Sequence, residues 1–307
     1  MPDPLDPSLG AERADVLVVG ASGLVGRLLL ARFGARATGT CNVHPSPGLV
    51  ALDITDAQAT RAVVASLAPR VVVHTAALTD VNRCEVDPEA SRLVNVEGTR
   101  NVAAAAREAG ARYVFFSTDY VFGDGGPHAP GAVRAPLNVY GRHKAEAEDI
   151  AAGVEDHAII RACNVYGWQE GGKNFVMAVV EAMEAGRHVR AAFDQWVSPT
   201  LAADLAEATA RLAFGEPGGD LRGVVHLAGP DHVTRLEWTL RAAKAFGLDP
   251  GLVDSVSVDS LGAAAPRPRS GGLDARASEA ALGLRMRGLD EGLAAMRRDR
   301  DAARASR

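Results

Sequence analysis

Tyr140 and Lys144 stand four residues apart in Tyr140-Gly141-Arg142-His143-Lys144. On a helix that spacing puts both side chains on one face, one turn apart. A phenol's ordinary pKa near ~10 is too high for ready proton exchange at neutral pH, and a neighbouring ammonium favours the phenolate and lowers it. Such a pair can pass a proton to the oxygen of a carbonyl that is receiving hydride. Thr118 follows the strand-like run 113–117 and is placed to hydrogen-bond the same oxygen. The lysine is unusual in its own right: the chain carries three lysines against 30 arginines, so a merely solvated position would be expected to hold arginine. The ordinary alternatives, a core tyrosine, a solvated lysine and a helix-capping threonine, need three coincidences at once.

A second centre lies near the start. Gly20-Ala21-Ser22-Gly23-Leu24-Val25-Gly26 follows the apolar run 15–19 and opens a helix expected over 24–33. Glycines let the chain turn sharply and bring backbone N–H groups against a pyrophosphate, and the helix N-terminus adds a positive dipole end. The spacing is GxxGxxG, and its place directly after the first strand is what makes it a dinucleotide signal. An acid that would grip the ribose 2′-hydroxyl of NAD is expected about twenty residues on. Thr40-Cys41-Asn42-Val43-His44 offers none, which leans towards NADP, yet no arginine sits there for a 2′-phosphate, so NADP or NAD both stay open. Asp53-Ile54, at the end of the next short strand, would lie near the adenine, with a turn or capping role as the alternative for Asp53.

The elements that must carry these residues alternate. Apolar runs at 15–19, 71–75, 113–117, 158–161 and 224–228 read as strands buried on both faces of a parallel sheet. The best-marked helix is expected over 89–109, with Asp87 as N-cap, Pro88 at the first position and Gly110 as the stop. Beyond Cys163, glycines and prolines punctuate shorter elements. The pattern predicts an α/β protein: a Rossmann doubly wound parallel sheet with a smaller, interleaved C-terminal substrate lobe. Residues 13–163, joined again by 201–230, form the NAD(P)-binding part, and 164–200 with 231–307 form the lobe.

Bulk properties narrow the function further. A formal charge of −5 over 307 residues favours neither a nucleic-acid polymer nor an anionic membrane as partner. Arg297, Arg298, Arg300, Arg304 and Arg307 crowd the end, but aspartates interrupt them, and they read as a solvated tail. Cys41, Cys84 and Cys163 are far apart, with no CxxC or Cys/His cluster, so neither a disulfide framework nor a metal site is implied and they read as small buried hydrophobes. Residues 1–12 hold three prolines and no apolar run, which suits neither a signal peptide nor a membrane span. A soluble, cytoplasmic protein is expected.

These motifs together make the chain resemble the extended short-chain dehydrogenase/reductase superfamily, and within it the dTDP-4-dehydrorhamnose reductase family. The likeness runs through the glycine loop, Leu52-Asp53-Ile54, the stretch from His74 to Glu85, and Asn95-Val96-Glu97-Gly98-Thr99. It continues through Ser117-Thr118-Asp119-Tyr120-Val121-Phe122, the stretch from Pro136 to Lys144, Arg161, and Val165-Tyr166-Gly167. Asp194-Gln195, Ser198-Pro199-Thr200, Arg267-Pro268 and Leu273-Asp274 complete it. The resemblance implies that Gly23, Leu24 and Val25 hold the pyrophosphate, with Gly20, Ser22 and Gly26 shaping the loop and Asp53 and Ile54 at the adenine. It implies Ala76, Ala77 and Thr79 along the nicotinamide, Tyr140 as proton donor, and Lys144 on the nicotinamide ribose. Thr118 would polarise the carbonyl, and Thr118 and Asp119 would touch the sugar of a nucleotide-sugar substrate. A homodimer is common among such reductases.

Two positions depart from the family pattern. Asn164 stands where a tryptophan often faces the sugar, and Ser270-Gly271 stands where Asn-Ser is usual. Tyr120 occupies the position at which dehydratases of the superfamily carry a glutamate, which disfavours dehydration. Two other functions use the same scaffold: a non-catalytic NADP-binding subunit like the regulatory subunit of methionine adenosyltransferase, and a C4 epimerase holding NAD tightly.

Overall fold

The computed structural model describes residues 15–42, 46–214 and 221–306. Seven parallel strands form the central sheet: β1 (Val16–Val19), β2 (Ala37–Cys41), β3 (Val50–Ala51), β4 (Val71–His74), β5 (Arg112–Thr118), β6 (His157–Ala162) and, much later, Gly223–Leu227. Numbered along the chain, that last strand is β11, after the short β7 (Val165–Tyr166), β8 (Val189–Ala192), β9 (Trp196–Val197) and β10 (Thr200–Leu201). The sheet order is β11-β6-β5-β4-β1-β2-β3, so the order reverses between β1 and β4. A crevice opens at such a reversal, outside the carboxyl ends of the strands.

The inner strands β1 and β4 are buried throughout because both faces are covered, while the edge strand β3 is not. Val16 and Val18 point into one apolar layer with Leu29 and Phe33 of α1 (Leu24–Phe33) and with Leu205 and Leu212 of α8 (Ala202–Phe214). Leu17 and Val19 point into the other, with Val64 of α2 (Ala57–Leu67), Val102 of α5 (Gly98–Glu108) and Ala147 of α6 (Val139–Ala152). Burying each such side chain stabilises the fold by roughly 1.5–3 kcal/mol.

The helix expected over 89–109 is present in two pieces. Asp87 caps it, accepting from Ala90 N at 3.0 Å, and Pro88 begins α4 (Pro88–Arg92), while α3 (Val81–Val86) precedes it. A π-turn at Leu93–Glu97 then widens the helix before α5. Within the widened turn Asn95 reaches back to the strand-end loop, accepting from Leu78 N at 2.9 Å and donating to Leu78 O at 3.0 Å. Gly110 ends the helix at φ 64.

A separate apolar cluster joins α7 (Phe175–Glu184), α9 (Arg235–Phe246) and α11 (Leu289–Ala305) around Tyr166, Trp238 and Met296. The strands β12 (Val233–Thr234) and β13 (Val253–Val256) pair with β9 and β8 beside it. Leu282 of α10 (Arg276–Leu282) packs instead against the sheet, in one layer with Leu227. The C-terminal arginines Arg297, Arg298, Arg300 and Arg304 lie on α11; the first two and Arg304 are exposed, as expected, but Arg300 is buried, 4.7 Å above the Phe246 ring and 3.0 Å from Glu184. The apolar face of that helix, hidden by interrupting charges, pulls the cation in. Arg307 lies outside the described residues.

Candidate active site

The glycine loop sits at the carboxyl end of β1, and its glycines are required for different reasons. Gly20 has φ 88, and a Cβ there would stand 2.6 Å from Ala76 N. A Cβ on Gly26 would stand 2.4 Å from Gly20 O. Both positions are closed by backbone. Gly23 is different: its φ is an ordinary −75, and the nearest atom to an added Cβ is Gly20 O at 3.5 Å. The fold does not require glycine at that position. It lies at the N-cap of α1, which has no side-chain cap and no acid in its first turn. The first helix-closing bond runs from Arg27 N to Gly23 O, so the N–H groups of Leu24, Val25 and Gly26 point outwards without an intrahelical acceptor. An uncapped helix end with room for an approaching ligand fits a pyrophosphate.

Ala76 abuts this loop, with Ala77 half-buried and Thr79 exposed beyond it at the end of β4. Ser22 and the first turn of α1 are clasped from the far side: Gln169 donates to Ser22 O at 3.3 Å, and Arg27 donates to the Trp168 carbonyl. At the end of β2, Thr40 O accepts from Ala21 N at 2.7 Å, and the exposed Asn42 follows. Val43 and His44 lie outside the described residues. Asp53 makes a turn, its Oδ1 accepting from Thr55 N at 2.9 Å and Thr55 Oγ1 at 2.8 Å, and these bonds hold its carboxyl below the usual range. Ile54 is buried beneath Gly98.

Thr118, Tyr140 and Lys144 come together at the carboxyl end of β5. Asn138 caps α6, accepting from Gly141 N at 2.8 Å while donating to Pro266 O at 2.9 Å, and Glu85 accepts from Val139 N at 2.8 Å. Gly141 lets the helix lie directly on the next turn, since a Cβ there would stand 2.1 Å from Tyr120 O. Lower on the same helix face, Glu148 forks onto Arg161 at 2.8 and 2.7 Å and accepts from Ser117 Oγ at 2.6 Å. α6 is thereby fixed to β5 and β6, and with it the height of Tyr140 and Lys144 above the sheet.

Tyr140 and Lys144 are both buried. Lys144 Nζ donates to Phe116 O at 2.6 Å and stands 4.0 Å over the Phe115 ring. Burial pulls its pKa down to about 7, opposed by the charge of Glu148. His74 beside it is held neutral, its pKa down to about 3 through burial and the Lys144 charge, and its Nδ1 lies 2.7 Å from Tyr113 Oη. The expectation of a lowered phenol pKa is reversed here. Burial pushes Tyr140 up, the charges of Cys84 and Asp119 add to the rise, and the Thr118 hydroxyl works against it. The reason is that the ammonium is spent on a backbone carbonyl while the phenol loses its water. A neutral phenol is the form that can give a proton.

The Thr118 hydroxyl donates to Asp119 Oδ1 at 3.2 Å and accepts from Tyr120 N at 3.2 Å. Asp119 is buried, which raises its pKa, and its other oxygen accepts from Cys163 Sγ at 3.0 Å. Cys163 in turn accepts from Asn164 Nδ2 at 2.9 Å. Asn164 adopts a left-handed φ of 47, and its Oδ1 accepts from Arg235. Thr118, Asp119 and Asn164 are thus joined in one hydrogen-bonded network, to which Cys163 and Arg235 are added. No motif spacing points to Arg235; a sequence reader has only an arginine one residue past the Thr234 cap. All three cysteines are free and buried, and no group of His, Cys, Asp or Glu among the described residues could hold a metal.

Comparison with known proteins gives a consistent answer. The RmlD substrate binding domain family matches residues 14–301. A dTDP-4-dehydrorhamnose reductase of Streptomyces griseus is 37% identical over 269 residues, covering 84% of this chain and 84% of the relative. The solved structure of dTDP-4-dehydrorhamnose reductase from Bacillus anthracis in complex with NADP superimposes with a TM-score of 0.84. It is 26% identical, over 94% of this chain and 100% of that one. Methionine adenosyltransferase 2 subunit beta of Xenopus tropicalis is 29% identical over 88% of this chain and 82% of its own length.

Proposed function

The chain belongs to the RmlD substrate binding domain family, and from that premise we propose that it is an NAD(P)H-dependent reductase of the 4-keto group of a nucleotide-activated 6-deoxy sugar. The observation that supports this reading is the buried Thr118, Tyr140 and Lys144 set near the carboxyl end of β5, two strands from the glycine loop that follows β1.

When bound, the reduced nicotinamide supplies hydride to the sugar carbonyl. The outward N–H groups of Leu24 and Val25, with Gly23 leaving room, hold the pyrophosphate, and Gly20, Ser22 and Gly26 keep the loop in shape. Asp53 and Ile54 lie at the adenine, and Ala76, Ala77 and Thr79 along the nicotinamide. Lys144 turns from Phe116 O to the ribose. Tyr140, neutral because it is buried, gives its proton to the oxygen that gains charge, a step worth roughly 10²–10⁴-fold. Thr118 polarises that oxygen, with Asp119 and Asn164 lining the sugar. Residues 164–200 and 231–307 serve as the substrate lobe over the nucleotide-binding part. NADP is favoured over NAD because β2 leads into Asn42 and not into an acid that would repel a 2′-phosphate.

No helix among the described residues is long and apolar enough to cross a membrane. We place the protein in the cytoplasm, acting on a nucleotide sugar, as a homodimer. The intact proton-transfer set supports an enzyme over a binding-only subunit. Oxidation of NADPH or NADH in the presence of dTDP-4-dehydro-6-deoxyhexoses tests the assignment. Stoichiometric cofactor consumption with at least one of them is expected. Folded protein that binds NADPH and turns over none would remove the sugar, and retained NAD with no net consumption would mean epimerisation.

A further inference from the structure

His143 lies between Tyr140 and Lys144 on α6 and takes no part in the chemistry proposed above. Its ring is nevertheless bonded inwards: Nδ1 lies 2.8 Å from Oγ of Ser91, a fully buried serine of α4. Ser91 Oγ accepts in turn from Asn95 Nδ2 at 3.3 Å. Asn95 gives its other N–H to Leu78 O and accepts from Leu78 N. Leu78 O also accepts from the Cys84 thiol at 3.4 Å. Leu78 stands in the loop after β4, between Ala76, Ala77 and Thr79. A continuous string of hydrogen bonds thus runs from α6 to that loop.

The string has a direction. Both Nδ2 hydrogens of Asn95 are donated, so Ser91 Oγ is an acceptor on that side and is free to turn its own hydrogen towards His143. Nδ1 can take that hydrogen only while it carries none itself. Hydrogen bonds in series polarise one another, and the buried amide at the centre would be costly to leave unsatisfied. Holding α4 against α6 does not need this string, because Arg92 already forks onto Glu146 at 2.8 and 2.7 Å on the outside. The charged groups that face the ring are Arg92 of α4 and Arg142 and Glu146 of α6, while Ser91, Asn95 and the buried Cys84 thiol are neutral. Burial, then the charges of Arg92 and Arg142, hold the ring's pKa below the ordinary histidine value, against the pull of Glu146. At neutral pH the imidazole is therefore an acceptor.

We propose that His143 is a positioning residue: as a neutral acceptor it completes the string through Ser91 and Asn95, and so holds the loop after β4 at the height the nicotinamide needs. This rests on the reductase reading above, in which Ala76, Ala77 and Thr79 lie along that ring. Because His143 precedes Lys144, the loop under the nicotinamide and the lysine meant for its ribose are referred to one turn of one helix. Protonation makes Nδ1 a donor and breaks the direction of the string at Ser91. The loop is therefore firm above the ring's pKa and loosens as pH falls through it.

Amide hydrogen exchange at Leu78 without cofactor, and calorimetric NADPH affinity on the same variants, test this. His143→Ala should speed that exchange and raise the NADPH Kd, each by about 3- to 10-fold, the size of one hydrogen bond. His143→Asn, whose Oδ1 replaces Nδ1 as an acceptor and does not titrate, should restore both. On acidification the wild-type Kd should rise more than that of the asparagine variant, since the cofactor's own phosphate titrates alike in both. Glu146→Gln, which opens the outer ion pair, should change neither exchange nor Kd. Exchange or Kd unaltered in His143→Ala, altered as much by Glu146→Gln, or an acid response identical in His143→Asn would overturn the proposal while leaving the reductase reading intact. Failure of the wild-type protein to bind NADPH would remove both.

Discussion

At the proposed cofactor end, the chain is shaped by absent side chains: Gly20 and Gly26 are packed backbone on backbone, and Gly23 leaves room. At the proposed substrate end, side chains from three separate segments are linked instead: Asp119 after β5, Asn164 after β6 and Arg235 at the head of α9. A site shaped by backbone admits little variation, because any added atom meets a main chain that cannot move. A site shaped by side chains can be altered one residue at a time without touching the sheet. Asn164, where the family resemblance implies an aromatic, would be such an alteration, and its Oδ1 accepts from Arg235.

The sharpest way to break this comparison is within the loop itself. Gly26→Ala should destabilise the protein by about 1–3 kcal/mol in chemical denaturation, since its Cβ would stand 2.4 Å from Gly20 O. Gly23→Ala meets nothing closer than 3.5 Å, so the fold should hold. Its NADPH Kd should nevertheless rise by about tenfold, on the order of the ~1.4 kcal/mol that losing one bond to an anion costs. If both alanines cost stability alike, or neither affects NADPH, the division between required and reserved glycines is wrong.

A smaller effect sharpens the point where the two ends meet. Burial draws the Lys144 pKa from 10.5 to about 7. Between those values the unfolded chain holds a proton that the folded protein resists, so the penalty of the buried charge is full below about pH 7 and disappears as pH rises towards 10.5. Lys144→Met removes that penalty. Its melting temperature without cofactor should exceed the wild type's most at low pH, and the gap should close on raising the pH through that window. A gap independent of pH would mean that the ammonium is not desolvated.

This contrast also explains what could be read from the chain. The sheet was legible because strands buried on both faces leave unbroken apolar runs such as Val71-Val72-Val73. The loop was legible because backbone packing demands glycine at fixed short spacing, and Tyr140 with Lys144 because a helix repeats every few residues. The break at Leu93–Glu97 was not legible, since what accompanies it is Asn95 bonding to Leu78, seventeen residues away. Nor was the burial of Arg300, which depends on Phe246 of another helix. The raised pKa of Tyr140 was missed for a related reason: spacing says that an ammonium is near, but not that it faces Phe116 O. Arg235 was invisible because its meaning lies wholly in long-range contacts.

Single-turnover reduction by Tyr140→Phe, measured beside its NADPH affinity, tests the central claim most directly. The account predicts NADPH binding like the wild type's and a rate lower by about 10²–10⁴-fold, because the variant keeps the shape and loses only the proton that a buried neutral phenol supplies. A rate close to the wild type's would contradict it.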